Sequence, residues 1–213
     1  MLSLNVGAGD TTGPRGRLTG IRKTPVPQIE VRAPGPPVGG LGSGVLGDVI
    51  GDRKAHGGAD QAVYAVAREE LDAWSAELGR ALPDGCFGEN LTTAGLDVDA
   101  ALIGERWQVG PDVVLRVTGP RIPCATFALH MGEERWVDRF AQRGRPGAYL
   151  AVERAGTITT GDPITVIERP EHAADIQLVF RALRGDLDAA AAALAAGCLG
   201  GEFLQAAEAV LAR

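Results

Sequence analysis

A disproportionate share of the 30 glycines and 13 prolines in this 213-residue chain falls within its first sixty positions. Glycine loses the most backbone freedom on ordering and proline removes a backbone donor, so such a stretch favours short strands joined by turns over long helices. The opposite end has the reverse character. After Pro170, the segments Asp175 to Leu183, Leu187 to Ala196 and Gly201 to Ala212 are rich in alanine and leucine and are divided by Gly185 and Gly197, which predicts three short helices. With 45% hydrophobic residues, the chain can bury a real core. The predicted organisation is a mainly β (α+β) unit over residues 1–169 and a small helical appendage over residues 170–213.

Within the first unit, Arg15 to Val31 reads as extended pieces broken by Pro25 and Pro27, and it leads into a Pro/Gly-rich connector from Ala33 to Gly51. From Val63, the apolar positions Val66, Leu71, Trp74 and Leu78 fall close to helical spacing, and Gly79 with Pro83 closes the segment, so one helix is predicted there. Short β-type runs follow at Asn90 to Thr93, Arg106 to Val109 and Val113 to Thr118, the last apolar on both faces. A short amphipathic helix is predicted between Glu133 and Gln142, with Trp136, Val137 and Phe140 on one side. Ala148 to Glu153 returns to strand character, and a Gly161-Asp162-Pro163 turn leads into a last strand within Thr157 to Ile167. The pattern is that of a barrel or a sandwich.

The net charge of −6 argues against the broad basic face that would neutralise a nucleic-acid backbone or an anionic membrane surface. No segment approaches the roughly 20 apolar residues of a membrane span, and the first residues lack the basic start of a secretion signal, so a cytoplasmic protein is expected. Cys86, Cys124 and Cys198 are widely separated and odd in number, which fits neither a disulfide framework nor the paired ligands of a zinc site. At least one of them is free, buried or reactive.

Four strings invite a functional reading. Gly42-Ser-Gly44-Val-Leu-Gly47 matches a dinucleotide-binding pattern, but a Pro-rich stretch precedes it and Gly51, Gly57 and Gly58 follow, so the strand and helix that pattern requires are missing and a turn-rich connector is the better reading. His56-Gly57-Gly58-Ala-Asp-Gln61 is either a binding turn, whose glycines let backbone amides approach an anion beside an imidazole, or a tight turn entering a buried segment. In Gly88-Glu89-Asn90-Leu-Thr-Thr, the Asn90 amide has the donors and acceptor to read the edge of a heterocycle, and alone the string is only a turn signal. Pro120-Arg121-Ile-Pro-Cys124 stiffens the exit from a buried strand with two prolines and then presents a thiol. Arg121 there would favour the thiolate that nucleophilic attack or ligation of a soft metal needs, whereas the plain alternative is a small buried hydrophobe.

Taken in order, KTPV, AHGGADQAVY, GENLTT, IGERWQVG and PRIPCATFA resemble the MOSC family, named for the C-terminal domain of molybdenum cofactor sulfurase, from about Gly13 to Arg169. The predicted helices after Pro170 are similar to the three-helix appendage of its stand-alone bacterial, hydroxylaminopurine-reductase-like branch. The resemblance implies a distorted, mostly antiparallel β-barrel and a molybdenum cofactor, in which molybdenum is bound to molybdopterin, with Cys124 as the protein ligand to the metal. It also implies cofactor-binding roles for Asn90 and Arg121, with Lys23, Gly57, Gly58 and Gln61 around the same pocket, and a catalytic role for His56 beside Cys124. Lys54 and Ala55 carry no role in it, and nothing implies pyridoxal phosphate.

The activity so implied is reduction of a small N-hydroxylated substrate, such as a hydroxylaminopurine, an amidoxime or a hydroxylamine, to the amine or amidine and water. No flavin, haem or iron–sulfur motif occurs in the chain, so a separate flavoprotein or ferredoxin-type donor is expected as partner. Two rivals use the same cysteine: a cofactor carrier or sulfur-transfer protein without turnover, and a hydrolase whose nucleophile is Cys124 and whose base is His56. Substrate, donor and oligomeric state, a homodimer included, stay open at this level.

Overall fold

The computed structural model describes residues 1–36, 38–53 and 56–212. Lys54 and Ala55 lie outside the described residues. The elements are β1 (Ser3–Val6), β2 (Thr24–Val26), β3 (Gln28–Val31), β4 (Val63–Ala67), α1 (Arg68–Leu78), β5 (Leu91–Thr93), β6 (Arg106–Val109) and β7 (Val113–Pro120). They continue with α2 (Ala125–Met131), α3 (Trp136–Arg143), β8 (Ala148–Arg154), β9 (Gly156–Thr159), β10 (Ile164–Glu168), α4 (Ile176–Leu183), α5 (Leu187–Ala195) and α6 (Gly201–Leu211).

Eight strands form one curled sheet in the order β10-β6-β7-β8-β4-β5-β1-β2, a half-barrel that is antiparallel except where β4 runs parallel to β5. β3 and β9 make a separate antiparallel pair with Ile29 opposite Ile158. The architecture is therefore the mainly β, α+β arrangement expected, with helices added. Strand β7 pairs with β6 on one side and β8 on the other, and its register against β8 slips twice, between Val114 and Leu115 and between Val117 and Gly119. Such slips bend a strand. Its end at Pro120 is where the chain turns towards Cys124.

The helix predicted from Val63 begins only at Arg68. Val63–Ala67 is instead a strand in the middle of the sheet, buried along its whole length, because a β-branched and aromatic run sandwiched between β8 and β5 gains more from sheet pairing than from helical packing. Three elements escaped sequence reading altogether, among them β9, which lies before the Gly161 turn and pairs with β3 where one last strand had been expected. Strand β1 is only four residues, and α2 begins immediately after the cysteine, where the two prolines suggested only a turn. The remaining strands and helices stand within a few residues of their predicted positions.

Leu4, Val31, Trp107, Leu115, Val117 and Leu150 fill the half-barrel, and Ile176, Val179, Ala190 and Ala193 from the C-terminal helices belong to the same buried cluster. The appendage is thus packed into the core and not tethered beside it. Asp175 and Asp186 start α4 and α5 by accepting the amides of Leu178 at 2.7 Å and Ala189 at 3.0 Å, which satisfies helix-end donors that would otherwise be open. Phe203 of α6 lies flat on Gly119, where a side-chain carbon would sit 2.6–2.7 Å from three ring atoms. A second cluster, built by Trp74, Phe87, Phe127, Trp136 and Phe140, joins α1, α2 and α3 through edge and stacked ring contacts. Tyr149 packs against both clusters, and the site opens beside it.

Candidate functional site

Cys124 occupies the position just before the first turn of α2, at φ −130° and ψ 173°, and its carbonyl accepts the Ala128 amide at 3.0 Å. The half-buried residue lines a cavity of about 390 Å³. Burial alone would push its thiol up. Hydrogen bonding to His56, the nearby guanidinium of Arg121 and the Phe127 amide outweigh that, and the thiol settles at about 6. The other two cysteines behave oppositely: burial raises Cys86 to about 11 and also raises Cys198. Only Cys124 is therefore a thiolate at neutral pH, which is the form that binds soft metals or attacks electrophiles.

Arg121 is buried among aromatic rings, with its guanidinium 3.9 Å from the Phe127 centroid and 5.3 Å from that of Tyr64. One terminal nitrogen donates to the Phe87 carbonyl, while Nε is buried without a partner. Among the described residues no carboxylate pairs with this cation. An uncompensated buried charge is costly unless an anion shares its surroundings, and the Cys124 thiolate is one such anion.

On another wall of the cavity, Lys23 pairs with Asp48, their side chains 6% and 1% exposed. Asp48 also accepts the Gly7 amide at 2.8 Å, the Ser43 hydroxyl at 2.9 Å and the Asn90 amide at 3.1 Å. Burial lowers the Lys23 ammonium, and Asp48 opposes that. Asn90 is correspondingly committed: it donates also to the Asn5 carbonyl at 3.2 Å, and its oxygen accepts the Tyr64 amide at 3.2 Å. In this conformation it joins β4 to β1 and to Asp48, with both amide hydrogens spent inside the protein.

The HGG segment is a turn that leads through a single 3-10 turn at Ala59–Gln61 into buried β4. Gly57 and Gly58 have φ near +86°, a conformation glycine adopts freely. Their amides do not point to an open anion site: Gly57 donates to Gln61 Oε1 at 3.2 Å and Gly58 to the Gly42 carbonyl at 3.0 Å. A side chain at position 57 would approach that carbonyl to 2.8 Å, so close loop packing explains the glycine. The Gly42–Gly47 string is itself part of this irregular packing, and among the described residues no strand leads directly into it and no helix starts directly after it. His56 faces the cavity from the same turn, and Gln61 ties the turn to Glu202 of α6.

The structure thus brings Cys124, His56, Arg121, Lys23, Asn90, Gly57 and Gln61 to the walls of one cavity, whereas Gly58 is not part of its lining. Sequence reading missed Asp48, Tyr149 and Glu202. The first two are single polar or aromatic residues in otherwise ordinary strings, and Glu202 lies 141 positions from its partner Gln61, so no local pattern marks any of them. Among the described residues, no group of three histidine, cysteine or acidic side chains is placed to hold a metal ion. A metal at Cys124 would therefore draw its other ligands from a bound group. A soft thiolate, an adjoining cavity and a buried guanidinium with a free Nε together suit an anionic cofactor that carries its own metal.

Comparison with known proteins bears on the family and the fold. The family model described as MOSC domain matches residues 52–165, more than half of the chain. The Bacillus subtilis (strain 168) protein YflK is 31% identical over 183 residues, covering 85% of this chain and 79% of that protein. A Gibberella moniliformis protein named as a reductase is 34% identical over 146 residues, but these make up 67% of this chain and only 26% of that protein. The crystal structure of YiiM from Geobacillus stearothermophilus superimposes with a TM-score of 0.76 at 26% identity, covering 99% of this chain and 97% of YiiM. On the family match, the YflK alignment and the shared half-barrel, this chain belongs to the MOSC domain family.

Proposed function

We propose that the protein is a molybdenum-cofactor-binding reductase of N-hydroxylated compounds, with Cys124 as the metal ligand. The observation that carries this reading is the thiolate at about 6 in the wall of a cavity that has a buried guanidinium but no metal-binding cluster of its own among the described residues. The family match supports the cofactor, and the similarity to a protein named as a reductase supports the class of reaction.

In this reading Cys124 holds the metal, Arg121 offers its Nε to the anionic part of the cofactor, and Lys23 and Asn90 shape the opposite wall from their shared anchor on Asp48. Gln61 and the paired glycines hold the turn that carries His56, rather than contacting an anion through their amides. The cofactor, when bound, supplies a two-electron redox centre for cleavage of the N–O bond. The balanced conversion takes a hydroxylamine, two electrons and two protons to an amine and water. His56, hydrogen-bonded to the sulfur, moves a proton to the departing oxygen. Tyr149, whose phenol burial keeps protonated, closes the cavity beside it. The electrons come from a separate flavoprotein or ferredoxin-type donor.

The decisive experiment is elemental analysis of wild type and Cys124→Ser made in a molybdenum-replete host that synthesises the pterin, followed by reduction of a hydroxylaminopurine with a chemical reductant. Molybdenum in the wild type alone, together with turnover, is expected. Stoichiometric molybdenum without turnover would make the protein a carrier. One rival has an observation of its own, because a thiolate bonded to an imidazole is also the arrangement of a cysteine-nucleophile hydrolase. Hydrolytic activity in protein free of molybdenum would decide for that rival.

A further inference from the structure

Behind His56 the structure holds a second hollow, of about 210 Å³, on the side of the C-terminal helices. It shares His56, Gln61 and Tyr149 with the Cys124 cavity, so the two spaces adjoin at the imidazole. Its other walls include Ile122, two residues before the cysteine, Leu183 at the end of α4, and Glu202 and Phe203 in the first turn of α6. The appendage therefore builds part of the site. Glu202 accepts from Gln61, whose own oxygen holds the Gly57 amide, so α6 is tied to the turn that carries His56. The contact of Phe203 with Gly119 fixes α6 against β7.

We infer that this hollow is the subsite for the planar, nitrogen-bearing body of the substrate, with Glu202 as its specificity residue. The inference rests on the reductase reading, because that reading makes the shared His56 edge the place where the N–O bond must lie. Ile122, Leu183 and Phe203 offer apolar surface to the flat face of a ring. A carboxylate accepts hydrogen bonds and donates none, so Glu202 selects groups rich in N–H and disfavours anions. Among the described residues only one of its oxygens has a hydrogen-bond partner, which leaves the other for a ligand. The preference so set is for flat, N–H-rich bodies over anionic ones and over small aliphatic ones that leave the apolar walls uncovered.

The test is calorimetric titration of the full-length protein with benzamidine, an amidine of the product type, and with benzoate, its anionic counterpart. Benzamidine is expected to bind the wild type at least about tenfold more tightly than benzoate. Glu202→Gln keeps an acceptor for Gln61 but removes the charge, and should weaken benzamidine about tenfold. Ala206→Phe, at an exposed position of α6 that lines the hollow, should abolish its binding. The pH profile of Cys124 alkylation, measured on the same variants, should not move. Equal affinity for the two probes, or benzamidine binding undiminished in either variant, would overturn the inference. So would weakened binding together with a shifted Cys124 profile, because Glu202 would then act by placing Gln61 and His56 and not by touching ligand. Molybdenum content tests the reductase reading separately: selective benzamidine binding in a protein that takes up no molybdenum keeps the subsite and discards the reductase, and the reverse pair of results does the opposite.

Discussion

Lys23 and Asp48 form an ion pair in the wall of the Cys124 cavity, and neither is free to reach water, with side chains 6% and 1% exposed. Asp48 also collects hydrogen bonds from Gly7, Ser43 and Asn90, so a single carboxylate organises four separate segments. Removing it strands a buried ammonium. Asp48→Ala is expected to cost about 3–5 kcal/mol, read from urea unfolding, whereas Lys23→Met combined with Asp48→Asn should recover a large part of that loss. An Asp48→Ala protein as stable as wild type would mean that the pair contributes nothing to the fold.

Titration of Cys124 gives the second expectation. Its folded value of about 6 lies below the ordinary 9.0, so the thiolate stabilises the native state. That contribution is complete above the unfolded value and is lost as pH falls through about 6, so stability should rise with pH across that window. Alkylation by iodoacetamide should follow the same curve, with Cys86 and Cys198 silent below pH 8. His56→Ala should move the curve upwards, and overlapping curves for variant and wild type would remove the imidazole as its cause. If turnover of the variant were also unchanged across pH, His56 would have no role in proton transfer.

Glu89 titrates in the opposite sense. Burial raises its carboxyl from 4.5 to about 7, against the amides of Gly85 and Phe87 and the hydroxyl of Thr92, which favour the charged form. A raised folded value means that this group stabilises the protein at acid pH, fully below about 4.5, and that the contribution fades as pH rises through about 7. Carbon NMR of the labelled side chain should show its midpoint near neutrality. A midpoint in the ordinary glutamate range would contradict the burial argument.

The contact of Gly119 with Phe203 predicts an asymmetric pair of variants. Gly119→Ala drives a methyl carbon into the ring and should cost about 1–3 kcal/mol through displacement of α6. Phe203→Ala leaves a void where the same helix meets β7 and should cost about 3–5 kcal/mol. Thermal unfolding of the two checks the order. Because Glu202 is the preceding residue, both should also weaken benzamidine binding, and Gly119→Ala with unchanged binding and stability would show that α6 has slack at this point.

Much of the fold was legible because it is local. The three C-terminal helices announce themselves through alanine, leucine and the dividing glycines, and Arg106–Val109 stands where its alternation put it. Val63–Ala67 was misread as helix because five buried apolar residues have no period of their own, and only pairing with β8 and β5 makes them a strand. Helix α2 was hidden by the prolines just before it, which end the strand but do not oppose a helix starting one residue after the cysteine. The amides of the HGG turn were legible as unusual, yet their partners, Gln61 and Gly42, emerged only from the folded loops.

By itself the amino-acid order determined the β-rich first part, the helical end, and the stiffened approach to one particular thiol, since each depends on residues within a few positions of one another. Tertiary structure alone decided that this thiol ionises easily while its two counterparts do not, that Asp48 neutralises Lys23, and that Glu202 reaches the turn holding His56. The reason is electrostatic: the ionisation of a buried group is set by desolvation and by charges within a few ångströms, and here those neighbours come from parts of the chain that meet only when it folds.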